Sequence, residues 1–407
     1  MSASTARAIP KLREASFKDY PQIALLQADY GMGSASYEEW HHLWAGNPAY
    51  VGLRGEWPIG WVLQAGGDIV GYKGNIPIFY ELNGKRLIAG CGYSWVVASD
   101  YRGYSILLLE RYLRQKNAAL CLSTTVGPAA CNALATLGAL PVPMGKWDRA
   151  SVWITTYASF VASWLARRKL PLARMSSYPI SAALFARDSI VERNIRKRRA
   201  GSSNVKILCC ETFDEGFDSF WEVIRTENPN TLQAVRSRAV LEWHFRYALR
   251  ENRVWIATIN EGTCLCAYAI FLLERNSRDG VRRITFVDFQ ARAGKSAFVY
   301  PVLVWALERC RREGIHLLQA VGLCPRAVGD ISTLAPYHVQ QDAWTYWYKS
   351  LDRSLATVLK DPDVWAPSLF DGDASILETI VSSSIFALLG DSEGQAYAKP
   401  TTYNVNT

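Results

Sequence analysis

Glu39-Trp40-His41-His42-Leu43-Trp44-Ala45 and Glu242-Trp243-His244-Phe245-Arg246-Tyr247-Ala248 share the pattern E-W-H-x-x-aromatic-Ala. A match this short can arise by chance, so its weight depends on what surrounds it. After the first copy, residues 61–65 read as a strand, Gly66-Gly67-Asp68 as a tight turn and residues 69–72 as the returning strand. A third strand, residues 89–98, runs into Ser99-Asp100-Tyr101-Arg102-Gly103. Residues 106–117 then place Leu107, Leu108, Arg111, Tyr112 and Gln115 at helical spacing. Residues 119–125 form a buried strand, and residues 128–137 a helix that Gly138 stops. The second copy is followed by the same order: a strand at 254–259, a turn at Asn260-Glu261-Gly262, strands at 264–273 and 283–290, a helix at 296–312 and a buried strand at 315–321. Two halves with one element order point to a duplication.

Composition agrees with two folded halves. The chain has 407 residues, 49% apolar and 20% charged, with 15 Trp and 20 Tyr to fill cores and line clefts. No apolar h-region follows the basic residues Arg7, Lys11 and Arg13, and the longest uncharged apolar run, 152–166, is shorter than the roughly 20 residues a spanning helix needs. The 9 cysteines include no C-x-x-C pair, which fits free thiols in a reducing compartment and no structural zinc. A cytoplasmic location is therefore expected, without a metal.

The net charge of +8 is local. Ten basic residues against Asp188 and Glu192 lie between Thr156 and Asn204, so this segment carries the whole excess. It opens with Ser159-Phe160-Val161-Ala162-Ser163-Trp164-Leu165, and Arg167, Arg168 and Lys169 follow at once. That composition suits peripheral contact of residues 156–199 with an anionic membrane, Phe160, Val161, Trp164 and Leu165 entering the headgroup region, or contact with tRNA as the lesser alternative. An interdomain helix with a solvated basic face is the plainer reading.

The order helix pair, antiparallel hairpin, long strand, loop, helix, strand, helix resembles the GNAT fold. Leu12-Arg13-Glu14-Ala15 with Asp19 and Ile23 is similar to that superfamily's opening strand and helix. The resemblance implies an α+β chain of two GNAT-like domains in tandem, each a mixed central sheet flanked by helices. Residues 1–155 are the expected acyl-CoA-binding domain, 156–204 a basic and apolar linker, 205–350 a second, fainter domain and 351–407 a tail. Tyr101-Arg102-Gly103-Tyr104-Ser105 and Trp365-Ala366-Pro367-Ser368-Leu369-Phe370-Asp371-Gly372-Asp373 are similar to acetyltransferase-like proteins of polysaccharide gene clusters.

In that superfamily a loop with the pattern R/Q-x-x-G-x-G/A holds the acyl-CoA pyrophosphate on backbone N–H groups at a helix N-terminus. The implied CoA-binding set here is Val96, Val97, Arg102, Gly103, Tyr104, Ser105 and Ile106, although Ser105 and Leu107 replace the later small positions. Gln290-Ala291-Arg292-Ala293-Gly294-Lys295-Ser296 is the counterpart in the second half, in poorer register. The superfamily's acidic Tyr falls on Leu134 and is absent. Among the strand residues Tyr93 is a polar candidate for catalysis, and Asp288, between apolar neighbours, is the candidate base, because burial raises a carboxylate's pKa. Its alternative is a structural cap. The repeated pairs Trp40–His41 and Trp243–His244 are candidate substrate contacts or packed helix residues. Asp371-Gly372-Asp373 reads as a turn capping a short helix.

The expected activity is transfer of an acyl group, acetyl in the first instance, from acyl-CoA to an amine of a sugar, a polysaccharide precursor or another small metabolite. A Fem-type transferase using aminoacyl-tRNA and an inactive GNAT-like scaffold are the alternatives.

Overall fold

Residues 8–33, 35–143, 149–169, 173–198, 205–275, 280–321, 331–340 and 345–376 are described by the computed structural model. In the first half the chain forms β1 (Lys11–Glu14), α1 (Tyr20–Asp29), α2 (Tyr37–Ala45), α3 (Pro48–Val51), β2 (Gly60–Ala65), β3 (Asp68–Leu82), β4 (Lys85–Val97), α4 (Ser105–Leu113), β5 (Leu120–Val126), α5 (Pro128–Thr136), β6 (Leu140–Pro141) and β7 (Arg149–Ile154). β3 and β4 are much longer than the runs read from apolar alternation. Asn83 and Gly84, with φ of +53° and +70°, turn one into the other, as a two-residue hairpin with the right-handed twist of its strands requires. α2 starts at Ser36, whose hydroxyl accepts the Glu39 N–H while the Glu39 carboxylate accepts the Ser36 N–H.

Two helices follow, α6 (Tyr157–Arg167) and α7 (Ala173–Arg198). The second half then contributes β8 (Ile207–Cys210), α8 (Glu215–Glu227), β9 (Gln233–Ala234), α9 (Arg238–Arg250), β10 (Val254–Glu261), β11 (Cys264–Leu273), β12 (Arg283–Ala291), α10 (Val299–Glu313), β13 (Leu317–Val321), β14 (Tyr337–Gln340) and β15 (Thr345–Lys349).

The strands build two mixed sheets and exchange members: β9 and β15 of the second half join the first sheet, and β7 of the first half joins the second. The first sheet has the order β1-β2-β3-β4-β5-β15-β6, with β9 also on β3, and the second β14-β7-β13-β12-β11-β10-β8. β7, from the first half, thus pairs with β13 (Leu317 opposite Ile154), and β15, from the second, pairs with β5 (Tyr348 opposite Leu122). The larger core runs unbroken from Trp40 and Trp44 through Tyr80 to Phe245 and Trp365. A smaller one, around Phe271, Phe286 and Leu303, lies under α10 on the opposite face of the second sheet.

The duplicated motif explains itself in space. The Trp243 indole N–H donates to the His42 carbonyl at 3.0 Å, and the His42 ring Nε2 meets the Trp243 carbonyl at 2.9 Å. The two E-W-H helices, α2 and α9, are therefore each other's partners across the halves.

α6 corrects one expectation. Phe160, Val161, Trp164 and Leu165 are buried in the larger core, so they are not available to enter a headgroup layer. The helix is amphipathic because it packs inward. The exposed apolar residues of this region are instead Met175, Tyr178, Phe185 and Ile190 of α7. Among the described residues no helix is long and apolar enough to cross a membrane. Arg199 and residues 377–407 of the expected tail lie outside the described residues.

Candidate active site

β4 and β5 are parallel and pair only at Ala89–Leu120, Gly90–Cys121 and Cys91–Leu122. β4 then continues to Val97 and β5 to Val126 without pairing, so the first sheet opens into a wedge between its central strands. At ~3.3 Å per residue the unpaired edge of β4 from Gly92 to Val97 is about 17 Å long. Ser94 bulges from this edge: its φ is +44°, and Lys73 pairs with Trp95 while Gly74 pairs with Tyr93. A bulge bends the strand and re-aims its groups.

At the closed end of the wedge sits an amine. Lys73, on β3, is only 5% exposed, and its Nζ lies 5.1 Å from the centroid of the Tyr112 ring of α4. A Cβ built on Gly92 would come within 2.7 Å of that Nζ and 3.2 Å of the Ser123 hydroxyl. Glycine at 92 is what leaves the gap between the strands to the ammonium group. Burial brings the Lys73 pKa down to about 8, with Asp373 acting in the opposite direction.

Asp373 arrives from the far end of the chain. Residues 368–376 cross between the halves, and Gly372 lies so close to the Thr124 side chain that no larger residue fits. The Asp373 carboxylate accepts a hydrogen bond from the Thr124 hydroxyl at 2.8 Å. Burial raises its pKa, against the Thr124 bond and the charge of Lys73. Lys73 did not stand out in the sequence; of Asp371-Gly372-Asp373, Asp371 caps the preceding 3-10 turn, Leu369–Asp371, accepting the Ser368 N–H at 2.6 Å, while Asp373 lies in a buried crossing.

The crossing is fixed by a second buried group. Arg236 donates from Nε to Asp288 at 2.8 Å, from Nη2 to Asp288 at 3.1 Å and to Asp371 at 3.0 Å, and from Nη1 to the Ala234 carbonyl at 2.8 Å. Asp288 is fully buried and also accepts from Ser368 Oγ at 2.7 Å, Tyr268 OH at 3.2 Å and Gln290 Nε2 at 3.3 Å. Its oxygens are thus occupied by the protein's own donors, in the second sheet, while the wedge lies in the first. Burial raises the Asp371 pKa against the pull of Arg236.

The other residues singled out from sequence fall in distinct places. Tyr93, Val96 and Val97 line the unpaired stretch of β4. The Tyr93 hydroxyl accepts from Gln27 Nε2 at 3.1 Å, and the same amide donates to Ser94 Oγ at 2.8 Å. Burial pushes the Tyr93 pKa up to about 12. Arg102, Gly103 and Tyr104 belong to a 3-10 turn, Ser99–Tyr104, that leads into α4 at Ser105 and Ile106. No side chain caps this helix start, and a Cβ on Gly103 would meet only open space.

The second half's loop is differently placed electrostatically. The Glu227 carboxylate accepts the Ala293 N–H at 2.6 Å and pairs with Arg292 at 3.5 Å, and Glu261 pairs with Lys295. Its donors and cations serve internal acids.

Trp40 is core, and His41 stacks on Tyr37 at 5.4 Å and edges onto Phe17 at 4.5 Å. Trp243 makes the reciprocal bond to α2, and His244 is buried against Phe370 with its Nε2 2.7 Å from Ser375 Oγ. Burial, then the charge of Arg236, lowers the His244 pKa well below its ordinary value, so the ring is neutral. Trp243 thus joins the two halves and His244 holds the crossing segment, while Trp40 and His41 pack against aromatic residues of the first half. Among the described residues no group of three or more metal-ligating side chains converges.

No protein-family model and no curated protein matches the chain by sequence. Solved structures do match by shape. N-myristoyltransferase of Saccharomyces cerevisiae with bound myristoyl-CoA superposes with a TM-score of 0.52 at 10% identity, covering 86% of this chain and 80% of that one. A probable N-acyltransferase from Enterococcus faecalis V583 gives 0.50 at 8% identity, covering 84% of this chain and 73% of that one. A GCN5-related N-acetyltransferase from Kribbella flavida gives 0.49 at 14% identity, with 86% and 73% covered. Taken with the strand order and the wedge, the likeness to the first two shows the fold: two GNAT-like sheets in tandem, the architecture of N-acyltransferases.

Proposed function

We propose that this chain is an acyl-CoA-dependent N-acyltransferase whose working site is the wedge of the first half. The observation that carries the reading is the parting of β4 and β5 after Cys91–Leu122, with an uncapped helix start at its mouth and ionisable side chains at its apex. The wedge is long enough to seat an extended pantetheine arm. Its β4 edge offers backbone groups to pair with the arm's amides, and an N–H near the Ser94 bulge would face the oxygen that gains charge when an amine attacks the thioester. The pyrophosphate would lie at the turn Arg102–Ser105, where the Arg102 side chain and the dipole of the 3-10 turn and α4 favour an anion. The acceptor is an amine, with a sugar or polysaccharide precursor as the first class to try. The internal acids at the second loop favour one donor site per chain.

Calorimetric titration with acetyl-CoA tests the reading. The wild type should bind, and Ser105→Glu, which sets a carboxylate against the pyrophosphate, should reduce affinity at least a hundredfold. A wild type that does not bind, or equal affinity in both proteins, would overturn it.

A further inference from the structure

We propose that Lys73 is the acid and Asp373 the base of the acyl transfer, an assignment that rests on the acyl-CoA reading of the wedge. Three placements support it. The Lys73 Nζ lies where β4 and β5 part, against Gly92 and Ser123. Asp373 is held by Thr124, the residue next to Ser123 on the same strand. Both side chains are interior, yet among the described residues Lys73 makes no ion pair and rests on the Tyr112 ring instead. A lysine kept inside for structure would be closed by a carboxylate, because an unpaired buried charge is costly. One left open at the apex of a cleft is a group held for use.

The proton count closes within the pair. The acceptor amine attacks the thioester carbon, forming the N–C bond, and the excess proton on its nitrogen passes to the Asp373 carboxylate. The C–S bond breaks with its electron pair going to sulfur, and the Lys73 ammonium gives its proton to that sulfur. The site then holds a neutral amine beside a neutral acid. Loss of the Asp373 proton to water and uptake of one by Lys73 restore the starting state, and the net change is one proton moved from nitrogen to sulfur. The opposite displacements of the two pKa values, Lys73 downward and Asp373 upward, make Lys73 a readier proton donor and Asp373 a readier proton acceptor. The superfamily's acidic Tyr is missing at Leu134, which leaves that role open for Lys73. The other titratable groups facing Lys73 are Cys91 on β4, Cys121 on β5 and Tyr112 on α4. Burial holds all three in their neutral forms, so they do not compete for its proton.

The test needs no acceptor. Free CoA is bound to the full-length protein and its thiol is titrated by the ultraviolet absorbance of the thiolate. An ammonium beside the sulfur should make bound CoA ionise at least one pH unit below free CoA, a tenfold change in the equilibrium. Lys73→Met should abolish this shift, while Asp373→Asn, which removes a nearby negative charge, should enlarge it. Two results would overturn the assignment: bound wild-type CoA ionising like free CoA, or a shift that survives in Lys73→Met. The first needs no variant, so a misfolded mutant does not spare the idea. Incubation with acetyl-CoA followed by intact-mass analysis adds a third, since stable acetylation of Lys73 would make it an acceptor and not an acid. Failure of the wild type to bind CoA at all strikes the acyl-CoA reading itself, a different outcome from binding without the thiol shift.

Discussion

Replacing Arg236 by Leu removes one cation from between two buried carboxylates. Arg236 is 2% exposed and supplies three of the donors around Asp288 and Asp371. After the change Asp288 retains Ser368, Tyr268 and Gln290, and Asp371 retains the Ser368 and Ala234 N–H groups, so neither is stripped bare. What is lost is compensation of charge, and breaking a buried pair from one side costs about 3–5 kcal/mol. At ~2 °C per kcal/mol for a unit of this size, the midpoint of thermal unfolding at pH 7 should fall by about 6–10 °C. The pH dependence gives a second, independent check. Burial already raises the Asp371 pKa, and without the guanidinium it lies further above the unfolded value of about 3.9. The folded variant then binds more protons than its unfolded state, so its stability falls as pH rises and recovers as pH drops. Circular dichroism melts at pH 7 and pH 5 should show the gap to wild type narrowing at the lower pH. A loss below about 1 kcal/mol, or a gap that stays constant, would refute the view that Arg236 neutralises this cluster.

Trp243→Phe keeps an aromatic ring but leaves the His42 carbonyl with only the Gly46 N–H, and should cost about 1 kcal/mol in denaturant unfolding with no change in CoA affinity. The exposed residues Tyr178 and Phe185 of α7, with Arg167, Arg168 and Lys169 nearby in sequence, should make the protein float with anionic vesicles at low salt. Each basic residue near such a surface contributes about 1 kcal/mol, so binding should reverse with salt and weaken in Tyr178→Ser/Phe185→Ser. No flotation with either neutral or anionic vesicles would discard the membrane contact.

The duplication was legible in the repeated motif and element order, and the two motif helices meet, His42 and Trp243 bonding across α2 and α9. The hairpins were legible from their turns, and Asn83-Gly84 was a further turn signal that would have extended β3 and β4. Lys73 escaped notice because Lys73-Gly74-Asn75 interrupts the apolar alternation and resembles a loop, although the strand continues to Leu82. Asp288 invited attention for the right physical reason, a carboxylate among Phe and Val, and it is fully buried. The cation that accounts for it stands 52 positions upstream, on no shared element. Asp373 read only as part of a turn, since its hydroxyl partner is 249 residues away. Pairings of that span are made by topology, and no window along the chain contains them.

The exchanged strands bear on how such a protein is made. β5 has β15 as its outer neighbour, and β6 is held only through β15, so the first sheet stays unfinished until residue 349 has been synthesised. β7 likewise waits for β13, which lies more than 160 residues downstream. An emerging amino-terminal half would carry an open strand edge until its partner strands arrive. The two repeats, once clasped in this way, can no longer be inherited or expressed singly, and whatever changes in one must thereafter be tolerated by the other.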